Sequence, residues 1–297
     1  MDFFQKSEPA DKEIFFIDGG STDSTISIIK ERQKTDDRIL LLHNPNKIVP
    51  FALNIAIPLT KGDYIVRLDA HCEYDINYFT SITDVFNKTD ADIVGGPTLT
   101  TSRNPFQEAV AYIFNTPLGM GDSSVHQPDF EGYTDSVTFG AWKRQIFDKT
   151  GLFDTKLKRN QDDEFHYRAK SLGFKLYQSP SIKLYYFPRS NAKGLFKQYF
   201  QFGLYKPMVL KKIRTEIKLR HLIPSMFCMY LVICLLTMFF YPIIVVPLIL
   251  YLLLASYYSV KAQCSSFIVR IYVFIAYPTV HLAYGFGFLL GLRKIVS

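Results

Sequence analysis

The apolar residues of this chain follow one pattern in about its first 200 positions and another pattern afterwards. In the first part they form short runs, each ending at a polar residue or a glycine, which predict buried strands at residues 13–17, 64–68 and 91–96. Apolar positions at helical spacing follow, and they predict helices from about Ile26, Pro50 and residue 161. Strands that alternate with helices predict an α/β domain.

From Leu222 onward the chain consists of long uncharged segments. Residues 223–240 and 243–260 are each eighteen residues without a formal charge, which is enough to span the core of a bilayer. Residues 267–292 form a third apolar segment that is a weaker candidate, because it contains Arg270 and His281. A buried helical core is the alternative, but the length of the segments and their lack of acidic residues favour membrane helices.

The number of crossings decides where the third segment ends. Two spans plus an interfacial or re-entrant segment return Arg293 and Lys294 to the cytoplasm, whereas three spans leave them outside, against the positive-inside tendency. A basic cluster precedes the first span and suits anionic head groups; it comprises Lys206, Lys211, Lys212, Arg214, Lys218 and Arg220. We expect a multi-pass protein of the cell (inner) membrane with a cytoplasmic α/β domain.

Composition excludes several classes of protein. The net charge of +7 does not indicate a nucleic-acid-binding protein, because the first part has no dense basic stripe with interleaved aromatic residues. The four cysteines form no C-x-x-C pair, so neither a zinc site nor a disulfide framework is expected. The polar start of the chain has no signal-peptide pattern.

Candidate chemistry begins where the predicted strand at 64–68 ends. Asp69 and His71 follow it directly, and ligands of open α/β sheets collect at the carboxyl ends of strands. Oxygen and nitrogen ligands separated by one residue can approach a divalent cation that keeps its other positions for water and substrate phosphates. The competing interpretation is that Asp69 only ends the strand and caps a turn.

A second strand, at 13–17, runs into a glycine turn and a helix, which is a nucleotide-binding layout. Asp18 lies at the strand end, where it can accept hydrogen bonds from a base or ribose. Lys47 follows Pro45 in a later turn and can face a diphosphate. Ordinary turn chemistry explains both segments equally well.

A run of acidic residues at 162–164 marks the start of the helix predicted from residue 161. One carboxylate of this run can act as a general base while Arg168 or the helix amides hold its neighbours. Favourable interaction with the helix dipole is the simpler explanation. A glycosidase also needs paired carboxylates, but a strand end of nucleotide-binding type argues against hydrolysis.

Two further segments lie outside this pattern. Residues 98–132 are polar, aromatic and poorly periodic, which is typical of a functional loop or lid. Residues 188–206 mix basic and aromatic side chains at helical spacing and predict an amphipathic helix on the membrane surface. Within them, Arg189 and Gln198 are candidates for contact with a leaving diphosphate.

The ordered set of motifs resembles glycosyltransferase family 2, and most closely the succinoglycan-type exopolysaccharide glucosyltransferases. The segments that carry the resemblance are IDGGSTDST, NPNKIVPFALNIAI, GDYIVRLDAH, VTFGAWKRQIFDKTGLFD, NQDDEFHYR and PRSN with KQYFQFG. The resemblance implies a GT-A fold with a Rossmann-like mixed sheet, a divalent cation (Mg²⁺ or Mn²⁺), and inverting transfer from a nucleotide-sugar, with a UDP-hexose expected. It also implies a strand and turn before Met1, so the first strand of the fold is expected to be missing from this chain.

The resemblance also implies roles for individual residues. Asp18 matches the acidic residue that meets the nucleotide base, and Asp69 with His71 matches the metal and diphosphate motif, in which His71 replaces the commoner second Asp. Arg67, in the same motif, is expected to contact the donor together with Lys47.

Further residues match the catalytic and acceptor motifs of the family. Asp162 matches the catalytic base, with Gln161 in place of the usual Glu. Phe139, Gly140 and Asp163 match the acceptor side, whereas Gln198, with its neighbour Tyr199, matches only loosely a Q-x-x-R-W-type element.

We therefore expect a GT-A domain at residues 1–200, a basic amphipathic segment at 201–221 and a membrane region at 222–297. The expected activity is transfer of a sugar to a lipid-linked or growing polysaccharide acceptor, in the synthesis of exopolysaccharide or another cell-surface glycan. Two alternatives remain open: a catalytically inactive truncated homologue that acts as a membrane-bound partner, and a polyprenyl-phosphate glycosyltransferase.

Overall fold

The first 97 residues alternate strands and helices as the sequence predicts. The structure is a computed structural model that describes residues 2–121 and 123–296. Its first elements are α1 (Asp2–Lys6), β1 (Ile14–Asp18), α2 (Thr25–Gln33), β2 (Ile39–His43), α3 (Val49–Ala56), a 3-10 turn (Ile57–Leu59), β3 (Tyr64–Val66), β4 (Cys72–Tyr74), α4 (Tyr78–Lys88) and β5 (Ile93–Gly95).

The next stretch of chain contains a helix that the sequence pattern did not reveal. Its elements are β6 (Thr98–Thr100), α5 (Pro105–Phe114), α6 (Pro117–Met120), a 3-10 turn (Ser124–His126), β7 (Gly132–Tyr133), β8 (Ala141–Lys143), α7 (Ile146–Thr150), α8 (Gln161–Ser171), β9 (Leu176–Gln178) and β10 (Leu184–Tyr186). The expectation of an irregular loop was wrong over α5. Asn104 caps this helix by accepting a 2.9 Å hydrogen bond from the Gln107 amide, and Pro105 suits its first turn.

The remainder of the chain is helical. It comprises α9 (Ala192–Lys212), a 3-10 turn (Arg214–Glu216), α10 (Leu219–Thr237), a 3-10 turn (Pro242–Val245), α11 (Val246–Lys261) and α12 (Phe267–Val296). The helix predicted at 188–206 is present as α9, which begins after Asn191 because that side chain caps the Gly194 amide at 2.9 Å.

The chain forms two compact units, and each is made of two stretches of sequence. The first unit contains residues 1–97 and 128–184, and the second contains residues 98–127 and 185–297. Residues 98–127 therefore group with the C-terminal helices. The three-part division at residues 200 and 221 remains a prediction about membrane attachment.

The first unit is built on a mixed five-stranded sheet with the order β3-β8-β5-β9-β7. Strands β5 and β9 are parallel, whereas β8 is antiparallel to both β3 and β5. Trp142, Phe165 and Ile93 are fully buried in the core at this sheet. The expected α/β class is confirmed.

A smaller sheet carries the other nucleotide-type motif of the first unit. Strands β1 and β2 pair in parallel, with Asp18 opposite His43, and form a sheet of their own. Phe4, Ile29 and Ile39 make its small core.

Among the residues that the structure describes, three helices of the second unit are long and apolar enough to cross a membrane. They extend over Leu219–Thr237, Pro242–Lys261 and Phe267–Lys294. The third segment, expected to be the weakest, forms the longest of these three helices, which continues through Arg270 and Pro278.

Candidate active site

One buried arginine connects two of the predicted site carboxylates. The Arg67 Nε and Nη2 donate to the two Asp69 carboxylate oxygens at 2.7 and 2.9 Å. Its Nη1 donates to both carboxylate oxygens of Asp162 at 2.6 and 2.8 Å. Arg67 is only 8% exposed, so a desolvated cation pairs here with two partly exposed anions.

The sheet and one helix place these groups together. Arg67 follows the last residue of β3, and its amide donates to the Gly140 carbonyl oxygen at 3.3 Å. The ladder between β3 and β8 ends at Val66, because Gly140 has φ +84° and turns the partner strand away. The predicted strand at 64–68 is therefore confirmed only over 64–66. Asp162 comes from the first turn of α8, after Asn160 in a left-handed conformation.

Asp162 is held in an environment that favours proton uptake. Burial raises the pKa of Asp162 above its ordinary value; the Arg67 charge opposes this shift, and the Asp69 and Asp163 charges add to it. Arg67 itself remains charged: burial lowers its pKa, but Asp162 and Asp69 outweigh that effect and raise it above the usual value. A carboxylate with a raised pKa is suited to accept a proton near neutral pH.

His71 and Arg67 lie beside the same aromatic residue. The His71 ring meets the edge of the Phe139 ring at a centroid distance of 6.5 Å, and the Arg67 guanidinium carbon lies 5.1 Å from the centre of that ring. The Asp69 amide donates to the Tyr74 hydroxyl at 2.6 Å, which fixes the backbone after the strand. The structure thus brings His71 and Arg67 to the Phe139 ring, and the pairing of Asp69 with His71 at a cation remains a prediction.

The side chains around Asp69 are only partly suited to bind a hard divalent cation. Within residues 2–121 and 123–296, no group of three or more His, Cys, Asp or Glu side chains is arranged to hold a metal ion. Each Asp69 oxygen accepts one hydrogen bond from Arg67 and keeps a second lone pair. A cation that takes most of its ligands from water and substrate phosphates needs only one or two protein carboxylates, and Asp69 meets that need.

Asp18 is placed as predicted at the end of β1, but its carboxylate stabilises its own turn. It accepts hydrogen bonds from the Gly20 amide at 2.8 Å and from the Ser21 amide at 3.1 Å. Hydrogen bonds from Ser21 and then from Gly20 lower the pKa of Asp18. Lys47 faces the same turn, because a Cβ on Gly20 would lie 3.4 Å from the Lys47 Nζ.

Phe139 and Gly140 form a consecutive pair of left-handed residues, with φ +58° and +84°. A side chain on Gly140 would place its Cβ 3.0 Å from the Trp142 indole and 3.4 Å from the His166 Nε2. Glycine is therefore needed there for two independent reasons. The turn aims the Phe139 ring at Arg67.

His166 is a neighbour of the site that the sequence analysis did not identify. It lies on α8 one turn after Asp162 and next to Asp163 in space, is fully buried, and its Nδ1 is 3.0 Å from the Ser136 hydroxyl. Burial lowers the pKa of His166 to about 4, so the ring is neutral at physiological pH. Its position four residues after Asp162 is the only sequence signal that could have indicated it.

Arg189 and Gln198 contact each other in the second unit. The Arg189 Nε donates to the Gln198 side-chain oxygen at 3.2 Å, and the Gln198 amide donates to the Tyr186 hydroxyl at 3.1 Å. The proposed contact of this pair with a diphosphate remains a prediction.

Comparison with known proteins identifies the N-terminal half of the chain. Residues 4–151 match the family model for glycosyl transferase family 2. The chain is 32% identical over 219 residues to the succinoglycan biosynthesis protein ExoA of Rhizobium meliloti (strain 1021), covering 73% of this chain and 66% of that protein.

A second relative is archaeal. The chain is 29% identical over 220 residues to the dolichyl N-acetyl-alpha-D-glucosaminyl phosphate 3-beta-D-2,3-diacetamido-2,3-dideoxy-beta-D-glucuronosyltransferase of Methanococcus voltae, covering 71% of this chain and 68% of that protein. The chain thus spans about two thirds of the length of each relative.

A solved structure shares the fold. The mannosyltransferase PcManGT from Pyrobaculum calidifontis, in complex with GDP-Man and Mn²⁺, superimposes with a TM-score of 0.60 at 14% sequence identity. The superposition covers 99% of this chain and 82% of that one. It supports the GT-A fold for this chain.

Proposed function

The chain belongs to glycosyltransferase family 2, and we propose that it transfers a hexose from a nucleotide-sugar to a lipid-linked or growing saccharide, with inversion at the anomeric carbon. The product would be an exopolysaccharide or another cell-surface glycan. The observation that carries the proposal is the Arg67 bridge, because it gathers Asp69 and Asp162 around one buried guanidinium.

Asp162 is the proposed base. The acceptor hydroxyl oxygen bonds to the anomeric carbon of the donor, the bond from that carbon to the diphosphate oxygen breaks, and the hydroxyl proton passes to an Asp162 carboxylate oxygen. The raised pKa of Asp162 favours this proton transfer. The nucleoside diphosphate leaves with the electron pair of the broken bond.

Arg67 and Asp69 are the proposed contacts of the leaving diphosphate. The guanidinium of Arg67 is permanently charged and can form paired hydrogen bonds to phosphate oxygens when it leaves Asp69. Asp69, with His71 beside it, would hold a divalent cation such as Mg²⁺ or Mn²⁺, which when bound supplies positive charge to the diphosphate. Asp18 and Lys47 line the donor side of the site in this proposal.

Phe139 and Gly140 belong to the acceptor side in this proposal, together with Asp163. An aromatic ring held against Arg67 offers an apolar face to a sugar ring. The rigidity of the left-handed turn fixes the position of that face.

The names of the two relatives support the acceptor class. One takes part in succinoglycan biosynthesis, and the other is named for a dolichyl phosphate-linked sugar. A lipid-linked saccharide suits both names, and the apolar helices of the second unit would bring the chain to the membrane that contains such lipids. We place the first unit in the cytoplasm, where nucleotide-sugars are made.

The test uses the full chain purified in lipid nanodiscs. We would offer it labelled UDP-, GDP- and dTDP-hexoses with Mn²⁺ or Mg²⁺ and a lipid extract, and we expect label in the lipid fraction with release of UDP. Absence of nucleoside diphosphate release from every donor would contradict the proposal and favour an inactive partner of another synthase. Transfer to polyprenyl phosphate in preference to lipid-linked saccharides would identify a polyprenyl-phosphate glycosyltransferase instead.

A further inference from the structure

Helix α12 differs from the other two long apolar helices in how much of it the protein covers. In its most apolar window 44% of the residues are buried, compared with 22% in α10 and 11% for the segment that contains α11. Its buried residues include Val273, Ala276, Tyr277, Val280 and Ala283. One side of α12 is thus a protein-packed surface along most of its length.

The C-terminal half of α12 is fixed to α9 by glycines. A Cβ on Gly287 would lie 2.1 Å from the Phe200 carbonyl oxygen, and a Cβ on Gly291 would lie 2.4 Å from the Leu204 carbonyl oxygen. On the facing helix, a Cβ on Gly203 would lie 2.1 Å from the Tyr284 carbonyl oxygen. The two backbones touch over more than one turn, which fixes the depth of α12 to that of α9.

The N-terminal half of α12 is fixed to α5 and α6 by hydrogen bonds. Ser265, just before α12, donates from its amide and its hydroxyl to the Glu108 carboxylate, both at 2.6 Å. The Thr116 and Tyr277 hydroxyls are 2.9 Å apart, and the His281 Nε2 donates to the Leu118 carbonyl oxygen at 2.9 Å. From residue 265 to residue 281, α12 therefore runs alongside the segment 108–118.

Helices α10 and α11 also contact α12, where the Tyr251 hydroxyl lies 2.8 Å from the His281 Nδ1. Helices α9 and α5, in contrast, carry charges that disfavour the bilayer core. Basic residues occur at both ends of α9, and they are Lys193, Lys197, Lys206, Lys211 and Lys212. Glu108 of α5 is half-buried. If α12 crossed the bilayer, α9 and α5 would have to enter it alongside, with these charges in hydrocarbon.

The other side of α12 is apolar and open. Its exposed apolar residues lie in two groups toward its ends, and together they are called the α12 stripe: Phe267, Ile268, Ile271, Ile275, Phe286, Leu290 and Leu292. A helix with one apolar stripe exposed and its opposite side covered by a charged protein is suited to lie in the interface between head groups and acyl chains.

Helices α10 and α11 have a different relationship to the rest of the unit. Their exposed apolar residues surround them, and the two helices hold each other through Tyr230, whose hydroxyl donates to the Ile244 carbonyl oxygen at 2.7 Å and accepts from the Leu248 amide at 3.0 Å. The Phe227 and Tyr251 rings pack at 4.6 Å. They form a hairpin whose outer parts, including Phe239 and Phe240 at about 80% exposure, contact little other protein.

We propose that α12 lies along the membrane surface instead of crossing it, with both of its ends on the same side of the bilayer as α5 and α9, and that only the α10–α11 hairpin enters the hydrocarbon core. The partner of the α12 stripe is the lipid surface itself. The proposal rests on the membrane attachment described under the proposed function, but not on catalytic activity. Tests of topology therefore separate it from a failure of the transferase assignment.

The first test locates the two ends of the chain. Green fluorescent protein, which fluoresces only in the cytoplasm, and alkaline phosphatase, which is active only outside it, would each be fused to the full wild-type chain before residue 1 and after residue 297. We expect both ends to report the same side. Ends on opposite sides would show an odd number of crossings and overturn the proposal.

The second test measures depth along α12. Single nitroxide labels at Phe267, Ile275 and Leu290 would be introduced into a cysteine-free chain in nanodiscs, with each variant checked for wild-type helix content. A helix on the surface gives equal depths, within the width of about one helical turn, ~5 Å. A spanning helix of this length separates the outer labels by roughly 35 Å in depth, and that result would overturn the proposal.

A third test, an alkaline carbonate wash, asks whether the α10–α11 hairpin is inserted in the membrane. If an alkaline carbonate wash releases the chain from membranes, nothing is inserted, and the assignment of α10–α11 to the hydrocarbon core is wrong. Retention after the wash together with equal depths along α12 supports the whole arrangement.

Discussion

Arg67 and Asp162 are 95 residues apart in the sequence and are joined by two hydrogen bonds from a single guanidinium nitrogen, at 2.6 and 2.8 Å. The remaining nitrogens of the same group hold Asp69. One side chain thus sets the distance between the proposed base and the proposed phosphate side of the site. In the proposed mechanism, substrate binding would replace part of these ion pairs.

Replacement of Asp162 by Asn should abolish transfer and leave donor binding nearly unchanged, because the amide keeps the shape but cannot take the acceptor proton. We expect the turnover number to fall by about 10²–10⁴-fold. Donor affinity would be measured by calorimetry. Asp148→Asn, on the exposed face of α7, is the matched control, and a loss of donor affinity as large as the loss of rate would refute the base assignment.

Replacement of Arg67 by Met should destabilise the first unit, because it leaves two carboxylates close together without their counter-charge. Removing one partner of a buried ion pair costs about 3–5 kcal/mol. Arg67→Lys keeps the charge but loses the planar fork, so its effect on the free energy of unfolding should be smaller.

The matched control for Arg67 is Arg32→Met. Arg32 forms an ion pair with Asp2 at 3.2 Å, and its side chain is 45% exposed, so the expected change is about 0.5 kcal/mol or less. Chemical unfolding of the three variants in detergent gives the comparison. Equal stabilities of Arg67→Met and Arg32→Met would mean that the bridge does not form.

Replacement of Asp69 by Ala should remove the dependence of donor binding on divalent cations. The carboxylate is the proposed protein ligand, and His71 alone would hold a hard cation poorly. Electron paramagnetic resonance of Mn²⁺ measures cation binding directly, without turnover. Asp63→Ala, exposed before β3, is the control, and an unchanged Mn²⁺ affinity in Asp69→Ala would remove Asp69 from the proposed cation site.

Replacement of Gly140 by Ala should be more harmful than the same change at Gly173. Both glycines have positive φ, +84° and +90°, but a Cβ at Gly173 meets nothing within 4 Å, whereas at Gly140 it meets Trp142 at 3.0 Å and His166 at 3.4 Å. Gly173→Ala therefore measures the backbone cost alone, about 1 kcal/mol.

The difference in the free energy of unfolding between these two variants measures the cost of a side chain at residue 140 against its neighbours. We expect Gly140→Ala to lower the free energy of unfolding by a further ~1–3 kcal/mol, the usual range for overpacking. It should also reduce transfer, since the same turn positions Phe139. Thermal unfolding and the transfer assay check the two effects, and equal losses in both variants would contradict the structure at this turn.

The stability of the first unit should depend on pH through His166. Burial lowers the pKa of His166 to about 4, below the value of ~6.5 in an unfolded chain. Between these two pH values His166 is protonated in the unfolded chain but neutral in the folded chain. The free energy of unfolding that this group contributes above pH 6.5 is therefore lost as the pH falls to about 4. The full loss from this group is about 3 kcal/mol.

His166→Asn keeps a polar group opposite Ser136 but does not titrate in this range. We expect its melting temperature to vary less than that of the wild type between pH 6.5 and 4. A parallel pH profile in the two proteins would show that another group is responsible for acid sensitivity.

The sequence indicated the candidate site because Asp69 and Asp162 each occur in a recognisable local pattern. One ends a short apolar strand, and the other begins a helix with an acidic first turn. The bridge between them could not be predicted, because it depends on the long-range pairing of β3 with β8 and on the position of α8 against that sheet. Arg67 was expected to meet the donor, but nothing near it in the sequence indicates that it binds Asp162.

The same limit explains the residues that were missed. His166 and Ser136 converge on Gly140 from a helix and a loop position, and each of the two is unremarkable in its own segment. Helix α5 was missed because its buried residues, Phe106, Ala109, Val110 and Ile113, have helical spacing over only ten residues and are flanked by polar segments. A short helix of this kind owes its stability to its partners.

The β1–β2 sheet, which carries Asp18, has a consequence for cooperativity. Its core consists of Phe4, Ile29 and Ile39, whereas the sheet that carries Arg67 is built on the much larger cluster around Trp142. Regions with few buried apolar contacts unfold locally at a lower free energy than regions with many. The first unit therefore contains two cooperatively unfolding parts (foldons), a weaker one at the β1–β2 sheet and a stronger one around Trp142. A donor that contacts both Asp18 and Asp69 would bind across the two foldons, and part of its binding free energy would then go into suppressing the local opening of the weaker one.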